Sequence, residues 1–464
     1  MKFGGTLMGS AESIRHCATL AIQSMGLGSI VVVPSAMSGV TDQLIQLSKD
    51  AEQGQLETAL EKIEDIRARH IETATALGGS GKPLEKLKGL LDALSQVVHG
   101  VYLLRELSMR SRDLVLSFGE RLSAPLMVMA LIAQGVRAQD LTGGEAGLVT
   151  DNNFGSARPL PIAYDRIPHT LSQYFAEGII PVVTGFIGET EQGAITTLGR
   201  GGSDYTATIL GAALDASEVW TWKDVDGVMT ADPRIVPEAQ NLEQLSYEEI
   251  MEMAYFGAKV LHPLAVTPLQ EKEIPLRVKS AADPQFPGTL VTKHPRGIKN
   301  GIKAVTAIRD AAIIDIGGAG MVGVPDIVSR IFNVLADRSI QVIMISQSSS
   351  MANLSLVVQR TEARTAFEAL RAHFGGSDVV RDLELWEDVS AVAIVGEGMR
   401  GTCGVAAKLF GTVALEGISM HMISQGSSEL NISFAIDDVD TPRAVQAIHR
   451  AFGLHHLEPD LIER

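Results

Sequence analysis

One stretch of this chain is written twice. GAGMVGVPDIVSRIFNVLADRSIQVIMISQSSSMANLSLVV, from Gly318, aligns without a gap on GEGMRGTCGVAAKLFGTVALEGISMHMISQGSSELNISFAI, from Gly396, at an offset of 78 residues. Both copies hold SQxSSxxN, which sets Gln347 against Gln425 and Asn353 against Asn431. Each copy reads strand, loop, helix, strand, strand and helix, the βαββαβ ferredoxin-like pattern. The C-terminal part of the chain is therefore expected to be two small sibling domains.

Each copy also contains GxGxxG, as GAGMVG at Gly318 to Gly323 and GEGMRG at Gly396 to Gly401. A dinucleotide site needs an acidic residue at the end of the following strand, and both of those strands end in Ser-Gln. A unit of about eighty residues is also too small for a full dinucleotide fold. The glycines read instead as turns where a small ligand or a partner subunit approaches the backbone.

At 464 residues the chain is too long for one core. Ahead of the repeats, SIVVVP (Ser29 to Pro34), GIIPVVTG (Gly178 to Gly185), EVWTW (Glu218 to Trp222) and IPLRV (Ile274 to Val278) read as buried strands separated by helical stretches. That alternation predicts an α/β fold with a mainly parallel sheet sandwiched by helices. The stretch Thr41 to Leu116 is helical in pattern and reads as an inserted subdomain, broken at Gly78 to Pro83. The expected division is a large domain over 1–283 with an insert at about 42–116, a linker at 284–303 rich in proline and glycine, and small domains at 304–378 and 379–464.

Charge narrows the ligands. A formal net charge of −16 argues against nucleic-acid or anionic-membrane partners, so small anions need locally placed cations. Cys17 and Cys403 fit no metal-ligand spacing. No apolar run looks long enough for a membrane span and no signal peptide is legible, so a cytoplasmic protein is expected.

TTLGRGGSDYTATILGAAL, from Thr196 to Leu214, puts three glycines, an arginine and an aspartate at the mouth of a helix. Helix N-termini attract anions, and glycine lets backbone N–H groups approach them; a plain turn in which Ser203 or Asp204 caps the helix fits as well. Similar segments are KFGGT (Lys2 to Thr6), PSAMSGVT (Pro34 to Thr41) and SFGERLS (Ser117 to Ser123), all read as lying at strand ends, where ligands of parallel sheets bind. WKDVDGVMTADPR, from Trp222 to Arg234, adds charge in a turn-rich run. GSGKP, ending at Pro83, lacks the Ser or Thr of a phosphate loop, and no GxSxG elbow supports a hydrolase.

With TGFIG and AYFGAKVLHP added, these segments closely resemble the aspartate kinases, members of the amino-acid kinase family that carry paired C-terminal ACT regulatory domains. The resemblance implies ATP- and Mg²⁺-dependent phosphorylation of the β-carboxylate of L-aspartate, an early step towards lysine, threonine and methionine. It implies Lys2 against the β/γ-phosphates, with Gly4 and Gly5 offering N–H groups, and Ser35, Thr41, Glu120, Phe186 and Arg200 around aspartate. Asp204 would orient the lysine or hold Mg²⁺ through water. Asp224, Arg234 and Lys259 match nucleotide positions, where Lys223 and Met229 depart from the common threonine and tyrosine; His262 reads as structural. Gln347, Asn353, Gln425 and Asn431 are the implied effector contacts, for threonine or lysine, in a homo-oligomer joined through the ACT domains. An amino-acid sensor with a silent kinase domain, or a kinase for another amino acid such as glutamate, are the alternatives. An ionised β-carboxylate needs no general base, so the chemistry reduces to positioning two anions and neutralising the transferring phosphoryl group.

Overall fold

The computed structural model describes residues 1–257, 261–295, 301–322, 324–350, 352–375 and 379–457. The chain forms two compact units, Met1–Gly227 with Leu261–Lys293, and Val228–Val260 with His294–Arg464. This differs from the contiguous division expected from the sequence. Residues 228–260 leave the first unit because Ala231, Val236 and Ala239 are buried in the core of the second repeat. Thr230 Oγ1 also hydrogen-bonds His449 Nε2 at 2.9 Å, and Gln446 donates to the Ile235 carbonyl at 2.8 Å.

The first unit is built on a sheet in which Val33–Pro34, Lys2–Phe3, Val219–Lys223 and Leu276–Ser280 run parallel, followed by an antiparallel Thr289–Val291. A bridge from Val32 to Val182 continues it into the parallel pair Ala138–Leu141 and Ile180–Val183. Most residues of these short parallel strands are buried, as expected where both faces of a sheet are covered. The supposed linker thus contributes a strand: Gly288, at φ +69, turns the chain back so that Leu290 faces Arg277 in the ladder.

Four helices, Val40–Glu52, Leu56–Ala76, Gly81–Leu104 and Met109–Ala133, fill the region expected to be an insert. They are not a separate subdomain: Ile63, Leu87 and Val98 share one core with Phe3 and Val32 of the sheet. Met109–Ala133 also runs straight through SFGERLS, so that segment is mid-helix and not a strand end. Ser108 caps it by accepting from Ser111 N at 3.2 Å, and the missing N–H of Pro125 is tolerated within a fully packed helix. By length and apolar composition this helix could cross a membrane, contrary to the sequence expectation, yet 89% of its most apolar window is buried inside the unit.

In the second unit one six-stranded antiparallel sheet runs Val342–Gln347, Asn353–Gln359, Ala304–Gly317, Asp382–Val395, Asn431–Asp437, Met422–Ser424. The two long central strands pair over their whole lengths and are each interrupted once, at Asp310 (φ +55) and Asp388 (φ +64). Each half serves a different repeat. Ala312, Ile314 and Ile316 pack with Leu383 and Leu385 under the first repeat's helices, whereas Val305 packs with Val392 and Ile394 under the second's. The second repeat therefore takes its fourth strand from residues ahead of the first, and the expected boundary at 378/379 cuts through an interleaved pair. The physical reason lies in the second repeat's last helix, Thr441–Ala451, after which the described residues form no further strand.

Candidate active site

Lys2 sits on the second sheet strand, parallel to Val219–Lys223, in register with Thr221. Both strands end towards helix Gly202–Ala213, whose start is set by Gly201 at φ +72. A Cβ there would lie 2.3 Å from His262 Cβ, so a larger residue is excluded by space as well as by backbone conformation. His262 thus backs the glycine turn. Among the described residues no side chain caps the helix, contrary to the capping reading of Ser203 and Asp204; Gly202 N donates to the Gly199 carbonyl at 3.0 Å, which leaves the N–H groups of Ser203 and Asp204 to meet a ligand.

Asp204 points from the first turn to two lysines. Lys2 Nζ lies 2.8 Å from Oδ1 and Lys223 Nζ 3.2 Å from Oδ2, with Lys2 and Asp204 both nearly inaccessible. Burial pushes the Asp204 carboxyl up, but the two ammonium groups outweigh it and hold it below the usual range. Burial also pulls the Lys2 ammonium down to about 8, with Asp204 opposing and Lys223 adding to the fall.

Glu120 projects from the middle of Met109–Ala133. Gly119 before it is required because a Cβ would meet Ala36 Cβ at 2.9 Å. Ser203 Oγ donates to Glu120 Oε1 at 3.2 Å, while Oε2 is buried without a hydrogen-bond partner among the described residues. Burial pushes this carboxyl up to about 7, against hydrogen bonds from Ala36 and Ser203 and the charge of Lys2. Ser123, one turn on, donates to the Ser35 carbonyl at 2.7 Å and so ties the helix to the PSAMSGVT loop. Thr41 is half-buried in the first turn of Val40–Glu52, its hydroxyl 3.8 Å from where a Gly119 Cβ would stand.

Phe186 takes φ +67, a strained conformation for a bulky side chain, and its ring covers Gly202 so closely that a Cβ there would stand 2.6 Å from Cδ2. Arg200 is exposed on the turn and makes no ion pair among the described residues. Gly4 N–H donates to the Trp222 carbonyl at a long 3.4 Å, and a Gly5 Cβ would press on the Ala36 carbonyl at 3.2 Å. Two contributors were not read as site residues from the sequence. Ser203 is one, read there only as a possible helix cap. Asp113 is the other: fully buried, it accepts from Gly155 N, Thr197 N and Thr197 Oγ1 at 2.8–2.9 Å and fixes the strand that leads into the glycine turn.

Not all expected residues meet here. Asp224 is exposed, at the end of its strand. Arg234 lies in the second unit, exposed and forked onto Asp232 at 2.6 Å. Lys259 lies outside the described residues. Among those residues no cluster of three metal-ligating side chains occurs, and both Asp204 oxygens already face ammonium groups, so Asp204 fits the orienting role better than the metal one. A cavity of about 530 Å³, lined by Tyr164, Ala212, Pro268 and Lys272 among others, shares no residue with this site.

In the second unit Gln347, Asn353 and Gln425 are exposed. Asn431 differs: its side-chain amide donates to Glu252 Oε2 on helix Tyr247–Tyr255. Close by, Glu249 of the same helix accepts from Glu397 N at 2.9 Å, and Glu429 accepts from Gly401 N at 2.6 Å. The second glycine turn is thus engaged by the chain's own carboxylates. Gly323 and Met351 of the first repeat lie outside the described residues.

The profile of the amino acid kinase family matches residues 1–280, and the ACT domain profile matches twice, at 314–374 and 392–452. The chloroplastic aspartokinase 2 of Arabidopsis thaliana is 35% identical over 97% of this chain and 84% of its own length. The chain belongs to the aspartokinases. An aspartokinase of Geobacillus stearothermophilus is likewise 35% identical, over 98% of this chain and 96% of its own. Among solved structures, Escherichia coli aspartokinase III in complex with aspartate and ADP, called an R-state, superposes with a TM-score of 0.82 at 30% identity, over 97% of this chain and 98% of that one. The same enzyme in complex with lysine and aspartate, a T-state, gives 0.80 at 30% identity. As an aspartokinase the chain is an ATP-dependent phosphotransferase that acts on a carboxyl group.

Proposed function

We propose that this aspartokinase binds L-aspartate between Arg200 and Glu120 and holds the ATP phosphates against Lys2 and the Gly4–Gly5 backbone. One oxygen of the β-carboxylate attacks the γ-phosphorus, the bond from that phosphorus to the β,γ-bridging oxygen breaks, and its electron pair leaves with ADP. No proton moves, which suits a site without a catalytic histidine. The buried Oε2 of Glu120, without a hydrogen-bond partner among the described residues, supports the reading: it would accept from the substrate's α-ammonium, with Ser203 steadying the other oxygen. Arg200 would clasp the α-carboxylate as a fork, and Ser35, Thr41 and Phe186 would close the pocket. Asp204 orients Lys2. Asp224, Arg234 and Lys259 are assigned to the nucleotide by resemblance. Magnesium would arrive on the phosphates, as is usual for this ion, and needs no protein cage.

An end-product amino acid, threonine or lysine, would act at the ACT repeats of a homo-oligomer. Gln347, Asn353 and Gln425, all exposed, are the better contacts; Asn431 is already engaged by Glu252.

Two results would test the site. Trapping the acyl phosphate with hydroxylamine should give aspartate hydroxamate, and Arg200→Ala should lower kcat/KM for aspartate by about 10²-fold, the cost of a lost charge-assisted pair. Unchanged kcat/KM in that variant would remove Arg200 from the pocket. Second, kcat/KM should be bell-shaped. Glu120 must be ionised and titrates at about 7, so activity falls below that pH; Lys2 must be charged and titrates at about 8, so activity falls above it. A profile flat from pH 5.5 to 9 would contradict both assignments.

A further inference from the structure

One carboxylate, Asp204, stands between two ammonium groups, and a single lysine would neutralise it. Lys2 does so at 2.8 Å, with 5% of its side chain accessible. Lys223 is therefore a surplus cation, only 16% accessible, held 3.2 Å from the other oxygen. Desolvating a charge without a counter-ion is costly, and a like charge on the same carboxylate adds to the cost. An arriving anion would relieve that cost.

The backbone explains how the second lysine gets there. Val219–Lys223 is the parallel neighbour of Lys2–Phe3, with Thr221 opposite Lys2, so Lys223 stands one pleat repeat beyond Lys2 on the same face of the sheet. Its carbonyl accepts from Ala281 N at 2.9 Å, which anchors the residue while its side chain reaches back to Asp204. By resemblance this residue is grouped with the nucleotide positions, where threonine is common. Its ammonium meets the same carboxylate as Lys2.

We propose that Lys223 is a second catalytic cation, which contacts the transferring phosphoryl group together with Lys2 while Asp204 keeps the two ammonium groups apart. This rests on the kinase reading above. In the transfer, charge gathers on three equatorial oxygens as the bond to the bridging oxygen breaks and the bond to the aspartate oxygen forms. Two cations on one carboxylate present a net single positive charge to that centre. They cost no reorganisation when the reaction occurs.

The test uses the full chain in the hydroxamate assay. Lys223→Met should lower kcat about 10²-fold and leave KM for aspartate within about threefold, the mark of an interaction made mainly in the transition state. Lys223→Arg should keep a larger share of kcat. For Lys223→Ala, propylammonium in the buffer should restore kcat in proportion to its concentration, whereas propanol should not. Unchanged kcat in Lys223→Met would overturn the proposal, and so would a loss that propanol repairs as well as propylammonium, or that neither repairs. Absence of hydroxamate from the unmodified protein would instead sink the kinase reading itself.

Discussion

Lys2→Met is expected to lower kcat by about 10³-fold, or about 4 kcal/mol of transition-state stabilisation. The side chain is buried against Asp204, so methionine fills nearly the same space while removing the cation that faces the phosphates. Asp204 would then be left with Lys223 alone, so the carboxylate stays paired and the fold should hold. The measurement is single-turnover hydroxamate formation alongside an urea melt. A variant that melts as the unmodified protein does and retains more than a tenth of kcat would show that Lys2 is a structural partner of Asp204 and no more.

The second large effect belongs to the regulatory unit. Glu249 is fully buried and accepts from Ser246 N at 2.8 Å, Glu397 N at 2.9 Å and Lys303 Nζ at 2.7 Å. Lys303→Met leaves that carboxylate without its cation, which typically costs about 3–5 kcal/mol. For a unit of this size the melting temperature should fall by roughly 10 °C. Trp386 reports this unit and Trp220 and Trp222 the other, so tryptophan variants can assign the shifted transition. A shift below about 1 kcal/mol would mean that water or rearrangement relieves Glu249. The double variant Lys303→Met, Glu249→Leu should recover much of the loss, because no unpaired charge then remains buried.

Much of the candidate site was legible because its proposed chemistry asks for unusual residue choices. Glycines at 199, 201 and 202 beside Arg200 and Asp204 mark a tightly packed turn that also carries charge, and Lys2 stands where a buried strand would otherwise carry an apolar residue. Glu120 was singled out for a partly wrong reason. Its small neighbours suggested a strand-end loop, yet Gly119 is small because Ala36 lies against it, and the segment is helical. Charge misled at WKDVDGVMTADPR, where Asp232 and Arg234 satisfy each other on the surface while Ala231 and Val236 anchor the segment in the other unit. The repeat shows that its copies differ, with Glu429 and Leu430 in the second where the first has Met351 and Ala352, yet it does not betray that Asn431 is bound by Glu252, because that contact comes from a third segment.

The interleaving of strand Ala304–Gly317 reaches beyond the finished structure. Residues 304–308 must wait for 389–395, about 80 residues further along, before they have a neighbour in the second repeat. At typical translation rates of about 5–20 residues per second that delay is on the order of ten seconds. During it residues 311–317 can pair with Asn353–Gln359 while the apolar edge at 304–308 stays open on the nascent chain, the kind of edge that recruits strands from other molecules. Synthesis of this protein thus has a vulnerable interval set by topology. Chaperone dependence or co-translational pairing with a neighbouring chain should concentrate there, and a gene fragment that begins after residue 308 should yield an insoluble second repeat.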